Sequence, residues 1–383
     1  MPRNLLFVNS YSNLGGGETT LLSIAENLDP SRWRPHLLVQ RPGQFSAAWE
    51  ARGWPVHFAR WRGASVFFWP TLWGQLPGSR RMERILRNGD FAAAHGEYHC
   101  LPLLLPAGER AGVPVTWLCS GWRFRPRPWQ RNFFRRPAAT FAETRMVRDG
   151  FLGQPPFMPQ DRVRILNPGV DCERFRPRDD VESLRVDFGL APETPLVVLL
   201  ARFQNVKGHD IFQAMARQVA ADLPEARFLV AGDNPHTRAD RRYRDRMHRD
   251  ARRDPLLRER LRYLGFRADT ERVIAAADVV ACSSWFEGFG TVNLEAMASA
   301  RPVVSTNRGG PSETVVDGVT GFLVPPGDPS ALAQRVLQLL RDPALRRRMG
   351  AAGREHVLRH FSAAASARSF ERTLEGLLAA RRA

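Results

Sequence analysis

The stretch WFEGFGTVNLEAM, residues 285–297, sets two carboxylates, Glu287 and Glu295, eight positions apart around Gly288-Phe289-Gly290. Carboxylates accept hydrogen bonds from hydroxyls. A glycine turn entering a helix adds free backbone N–H groups, which suit anions. Upstream, RFQNVKG carries Arg202 and Lys207. Of the 56 basic residues, 55 are arginine and Lys207 is the single lysine. In a chain that uses arginine for nearly every cation, one lysine marks a position that needs a compact ammonium, as in a point contact to phosphate. The alternative is a lone surface lysine. For the acids the alternative is a helix-start acid and a surface acid, but Glu295 lies within the apolar NLEAMA. Hydroxyls at both ends and phosphate in the middle describe a nucleotide sugar.

These groups need strand ends and helix starts to hold them. Short apolar runs, NLLFVN, HLLVQ, PVHFA, FAAAH, VPVTWLC and VRIL, occupy the first half, with helical stretches or loops between them. After CERFRPRDD the pattern restarts with PLVVLLAR, RFLVAG, LRYLG, DVVACS, RPVVST and GFLVP. Continuous apolar strands separated by helices indicate parallel sheets covered on both faces. The fold class expected is α/β with two Rossmann-like domains, 1–177 and 178–358. The tail from ALAQRVLQLLRDPALRRRMG onward reads as helical. In such sheets ligands sit beyond the carboxyl ends of the strands, in the turns leading into helices. Gly15-Gly16-Gly17-Glu18 is such a turn, open either as a flexible link or as a close backbone approach to an anion. His95, after FAAA, is either a pocket histidine or a structural one.

Composition bounds the rest. Apolar residues at 43% and charged residues at 25% give a globular balance, and no apolar run approaches the ~20 residues of a bilayer span. Residues 1–20 lack a signal-peptide profile, and Cys100, Cys119, Cys172 and Cys282 are scattered without metal-ligand spacing. A soluble, cytoplasmic protein is the expectation. The net charge of +17 is uneven: up to Pro177 there are 24 arginines against 13 acids. Within WRFRPRPWQRNFFRR, residues 122–136, Arg123, Arg125, Arg127, Arg131, Arg135 and Arg136 alternate with aromatics. An anionic membrane surface, a solvated face and nucleic acid are three readings of this run. A nucleic-acid partner is not expected, because no groove-reading helix or aromatic sheet motif accompanies it.

Over essentially its whole length the chain resembles the retaining glycosyltransferases of the large family 4 type, which have the GT-B fold. The resemblance rests on E-x7-E within EGFGTVNLEAMASARPVVSTNRGGPSETVVDGVTGFLVPPGDP. LGGGETTLLSIAENL, ILNPGVDCERFRP, ARFQNVKG, AGDNP and LGFRADTERVIAAADVV add to it. It implies two domains facing a cleft, the first on the acceptor side and the second holding the donor. A C-terminal helix, 359–383, would cross back onto the first domain. Gly16 and Gly17 would line the diphosphate pocket, with Arg202 and Lys207 on the pyrophosphate and Asp233 of AGDNP also on the donor side. The backbone near Phe266 and Arg267 would meet the base. Glu287 would contact the sugar with amides from Gly288, Phe289, Gly290, Thr291 and Val292, and Glu295 would hold the ribose.

The implied reaction moves a sugar, with retention, from a nucleoside-diphosphate sugar to a hydroxyl of a glycan or lipid-linked acceptor. Charge growing on the diphosphate would be met by Arg202, Lys207 and helix-start amides, with His95 also catalytic. No D-x-D occurs in the chain, so no metal cofactor is expected. With a lipid-linked acceptor the enzyme would sit on the inner face of the plasma membrane. Two departures stand out: Ser120 replaces a histidine many relatives carry, and Ala300 replaces a usual glycine, a mild change. Competing readings are a GT-B epimerase or phosphorylase and, from charge alone, a nucleic-acid-binding protein.

Overall fold

The computed structural model describes residues 1–14, 16–61, 76–119, 125–233 and 237–381. Ser120 and Arg123 therefore lie outside the described residues. The chain divides into two compact units, Met1–Gly169 with Ala363–Ala383, and Val170–Ser362. The first division thus falls ahead of Pro177, and the second at the start of the last helix.

The first unit is built on a sheet of seven strands: β1 (Arg3–Val8), β2 (Trp33–Val39), β3 (Val56–Phe58), β4 (Phe91–Gly96), β5 (Val115–Cys119), β6 (Ala139–Ala142) and β7 (Val163–Ile165). Their order is β3-β2-β1-β4-β5-β6-β7, and every pairing is parallel. Leu5, Leu6, Phe7 and Val8 of β1 are fully buried, as a central strand covered on both faces requires. β6 is missing from the sequence expectation. Its residues Ala139-Thr140-Phe141-Ala142 are all buried, but the run is short and alanine-rich and carries little hydrophobic signal.

The second unit repeats the plan with β8 (Leu196–Leu200), β9 (Arg227–Ala231), β10 (Leu261–Gly265), β11 (Val279–Cys282), β12 (Val303–Thr306) and β13 (Gly321–Val324). The order β10-β9-β8-β11-β12-β13, again all parallel, is that of a doubly wound dinucleotide fold. Each sheet thus has one place where the strand order reverses, between β1 and β4 in the first and between β8 and β11 in the second. Crevices open at the carboxyl ends of such strand pairs.

Three helices end the chain: Pro329–Arg341, Pro343–His360 and Ala363–Ala380. Asp328 and Asp342 cap the first two, accepting from the amides of Ala331 and Leu345 at 2.9 Å each. The last helix belongs to the first unit. Its Phe370 packs against Phe7 and Phe141, and Glu371 accepts from the Asp29 amide at 2.6 Å. Burial of Phe370 and Leu374, both 0% exposed, contributes roughly 1.5–3 kcal/mol each. Among the described residues no helix is long and apolar enough to cross a membrane.

Candidate functional site

The reversal point of the second sheet carries the densest chemistry. β8 runs into Arg202 and a short 3-10 turn, Asn205–Lys207, before the helix His209–Asp222. β11 runs into Ser283–Gly290 before the helix Thr291–Ala298. Trp285 N–H donates to the Val206 carbonyl at 2.8 Å, and Ser283 Oγ to the Gly208 carbonyl at 2.8 Å, so the two loops are stapled. Across them Lys207 Nζ donates to both Glu287 oxygens at 2.8 Å, and Ser284 Oγ donates to Oε1 at 2.6 Å. The pair is half-buried, so water screens it only in part. Arg202 is exposed at the β8 end.

Glycines set this geometry. A Cβ at Gly309, where φ is +99°, would lie 1.8 Å from the Glu287 carbonyl oxygen, and one at Gly310 2.2 Å from that of Phe289. Gly208, at φ +63°, faces the Ser283 carbonyl oxygen at 2.1 Å in the same way. These are backbone clashes, which no side-chain movement relieves. Gly290 turns at φ +82° into the helix, whose first amides are left open. Phe289 is 4% exposed in the core, so only its backbone reaches the turn.

Glu295 lies on the same helix. Its carboxyl has no hydrogen-bond partner among the described residues, and burial pushes it up to about 7, against a lowering by Arg174. Asp233, after β9, pairs with Arg244 at 3.1 Å. Arg267 is tied to Asp269, and Phe266 beside it is 65% exposed. Ala300 ends the turn after this helix at φ +54°. The exchange from glycine is therefore not mild: a left-handed alanine costs roughly 1–2 kcal/mol.

The reversal point of the first sheet holds a cavity of about 220 Å³ into which Gly17 and His95 are brought together, with Asn9, Tyr11, Glu97 and His99. His95 is 2% exposed, its Nδ1 2.9 Å from Thr116 Oγ1, and Phe7, Phe141 and Phe370 surround the ring. Burial lowers its pKa to about 3, so it is a neutral hydrogen-bonding ring at physiological pH. Glu97 accepts from the amides of Ser10, His99 and Cys100 and from His99 Nδ1. Gly16 opens the helix Gly16–Glu26.

In the run 122–136 the described arginines divide. Arg125, Arg127, Arg135 and Arg136 are all exposed, but Arg136 pairs with Glu109 and Arg135 donates to the Phe157 carbonyl, while Arg131 is half-buried 5.9 Å over the Phe157 ring. Sequence reasoning missed Ser284, Gly309, Gly310, Glu97 and His99. The double glycine ahead of Pro311, in a strand-to-helix turn, was a readable signal. Among the described residues no group of three or more His, Cys, Asp and Glu side chains is placed to hold a metal.

Comparison with known proteins bears on these two crevices. Residues 14–174 match the family described as Glycosyltransferase Family 4, and residues 194–342 that described as Glycosyl transferases group 1. Alpha-maltose-1-phosphate synthase of Mycolicibacterium smegmatis is 32% identical over 265 residues, 67% of this chain and 67% of that protein. D-inositol 3-phosphate glycosyltransferase 2 of Catenulispora acidiphila is 34% identical over 57% of this chain and 53% of its own length. Against several such curated relatives the chain spans about half of their length. The structure of Anabaena Alr3699/HepE in complex with UDP and glucose covers 98% of this chain and 100% of its own, with TM-score 0.79 at 22% identity. A glycosyltransferase from Rickettsia africae ESF-5 covers 98% and 99%, with TM-score 0.85 at 18% identity. Likeness at these identities is one of fold, the GT-B fold. With both sheets matched in sequence and in architecture, the chain belongs to the family 4 glycosyltransferases.

Proposed function

We propose that this chain moves a sugar, with retention, from a nucleoside-diphosphate sugar to a hydroxyl of a glycan or lipid-linked acceptor. The observation that carries the reading is the Lys207–Glu287 pair at a sheet reversal point, held by Ser284 and followed on one helix by the unpartnered Glu295. In the free protein Lys207 is neutralised by Glu287. A diphosphate would draw the ammonium away and leave Glu287 to accept from a sugar hydroxyl, while Lys207, Arg202 and helix-start amides meet the charge on the leaving group. Glu295, with no internal partner, would accept from ribose hydroxyls, and Phe266 offers an exposed ring beside the base. UDP and glucose in the Anabaena protein make a uridine nucleotide the first donor to test.

A melting-temperature screen with UDP, GDP and ADP tests the reading. Mass action predicts a rise of the midpoint with one of them, and its loss in Lys207→Met. A protein indifferent to all three would refute donor binding. An activity that runs without acceptor would instead favour an epimerase. Chelator is expected to leave turnover intact, because protein cations are assigned to the diphosphate; abolition by EDTA with recovery on magnesium would overturn that assignment.

The charge excess of the N-terminal half supports an anionic membrane surface as partner. Within the run, exposed Arg125, Arg127 and Trp129 support it best. Pelleting with anionic but not neutral vesicles at low salt, lost in Arg125→Gln/Arg127→Gln, is the expected result. Equal behaviour with both vesicle types would exclude it.

A further inference from the structure

Beside the β1 end, and separate from the cavity at His95, a second cavity of about 560 Å³ is lined by Ser10, Gln40, Arg41, Arg60 and Trp61. It lies at the carboxyl ends of β1, β2 and β3, where loops leave the strands. Among the described residues none of its lining is acidic. Arg41 and Arg60 enter no ion pair and donate no side-chain hydrogen bond among the described residues, although the protein has satisfied most of their neighbours. Ser12 Oγ donates to the Arg41 carbonyl at 2.8 Å, and the Arg81 guanidinium to the Arg60 carbonyl at 2.9 Å. Both backbones are thus pinned while both guanidiniums stay uncommitted among the described residues. The Gln40 amide bonds the backbone oxygen and indole N–H of Trp61, so neither is left for a ligand. The Ser10 hydroxyl is buried without a partner among the described residues. Glu97, the carboxylate beyond Ser10, is taken up by four donors and does not neutralise the arginines.

Two guanidinium side chains lining one cavity, unpaired among the described residues, make a site for a planar or tetrahedral oxyanion bound through paired N–H···O contacts. Neutral sugar rings would leave those donors unmatched. We propose that this cavity binds an anionic group of the acceptor, a phosphate or a carboxylate attached to a sugar. The proposal rests on the transfer reading for the word acceptor, but the site itself does not.

The test uses the full chain saturated with the nucleoside diphosphate that stabilises it most, so that phosphate subsites for the donor are filled. Glucose 6-phosphate, glucuronate and glucose are then titrated against the melting midpoint. Stabilisation by glucose 6-phosphate alone assigns a phosphate, by glucuronate alone a carboxylate, and by both an oxyanion site of either kind; glucose should do nothing. Arg41→Gln/Arg60→Gln is expected to weaken the anion on the order of tenfold per guanidinium, with the nucleotide shift unchanged. Both positions are exposed, so the variant should fold. Equal anion affinity in wild type and variant, or no stabilisation by either anion, overturns the proposal. A protein that ignores every nucleoside diphosphate overturns the transfer reading alone, because the two-protein comparison can be repeated without nucleotide.

Discussion

The two sheet-reversal points solve the same problem in opposite ways. At the end of β8 and β11 charge is matched internally, with both Glu287 oxygens on Lys207, and the backbone is locked by glycines packed against carbonyls. At the end of β1 and β4 the packing is mixed: a Cβ at Gly17 would meet nothing within 4 Å, whereas one at Gly43 would lie 2.3 Å from the Ser12 carbonyl oxygen, and among the described residues Arg41 and Arg60 have no ion-pair partner. In the proposed transfer the first arrangement would hold the donor and exchange an internal ion pair for it. The second offers open space and free donors. The proposed transfer fits that division: rigidity where a ligand is fixed, room where it varies.

The largest expected effect breaks the locked edge. Gly309→Ala must place a methyl carbon against the Glu287 carbonyl at a φ of +99° that alanine rarely adopts. Strain and displacement together should cost about 3 kcal/mol of stability and remove most turnover. Chemical denaturation and a donor-hydrolysis assay read both. A stable, active Gly309→Ala would mean that the loop is not locked as described.

Next is the ion pair. Lys207→Met leaves Glu287 half-buried without its cation, which should cost about 2 kcal/mol, and should lower turnover on the order of a hundredfold. The double variant Lys207→Met/Glu287→Gln should recover stability but not activity, because the penalty of an unpaired half-buried charge persists only while one charge remains. Lys207→Arg should retain stability yet still cut turnover, since a planar fork does not reproduce a point ammonium. Full activity in Lys207→Arg, or additive stability losses in the double variant, would count against the exchange of partners.

What could be read from residue order follows the same division. Every strand of the second sheet is visible as a short apolar-rich run, though Arg262 interrupts β10, and the lone lysine and the first acid of E-x7-E prove to be a pair. The acids are legible because Glu287, the glycine turn and Glu295 share one stretch, but the contacts that lock the edge are not local: Lys207 reaches Glu287 from 80 positions away, and Gly309 and Gly310 come from a later loop. The first sheet conceals β6, half of whose buried residues are alanine, and its crevice joins residues from Asn9 to Leu118 through long connections. Glu97 and His99 carry no spacing signal that marks them as partners of Tyr11 or Ser10. The basic run 122–136 is readable as charge, but not as described arginines of which only some are free, because the partners of Arg135 and Arg136, the Phe157 carbonyl and Glu109, come from elsewhere in the chain.

Glu295 is a milder test of preorganisation. Its carboxyl is raised from 4.5 to about 7 by burial, so its stabilising contribution is present below pH 4.5 and lost as pH rises through 7. At pH 8 the ionised group costs the free protein on the order of 3 kcal/mol. Glu295→Gln should therefore stabilise the free protein at pH 8 by roughly 2 kcal/mol and leave it unchanged near pH 4. Donor binding should weaken by roughly 1.5–3 kcal/mol, because an amide replaces an ionised acceptor. A variant less stable than wild type at pH 8, or one with unchanged donor KM and kcat, would remove the assignment.

The smallest effect probes the open edge. Gly17 lies in the helix Gly16–Glu26, at no positive φ, with nothing near its missing Cβ. In a helix interior, alanine is better than glycine by about 1 kcal/mol, less near an end, so Gly17→Ala should raise the melting midpoint of the free protein slightly. If a ligand's anionic group comes close to this backbone, the added methyl occupies the space it needs, and kcat/KM should fall several-fold while the free protein gains stability. Stability and activity thus move in opposite directions here, whereas at Gly309 they fall together. Loss of stability in Gly17→Ala would show that the first crevice is as closed as the second. Unchanged kcat/KM with a stabler fold would show that no substrate approaches the helix start, and would leave Gly17 a simple turn glycine.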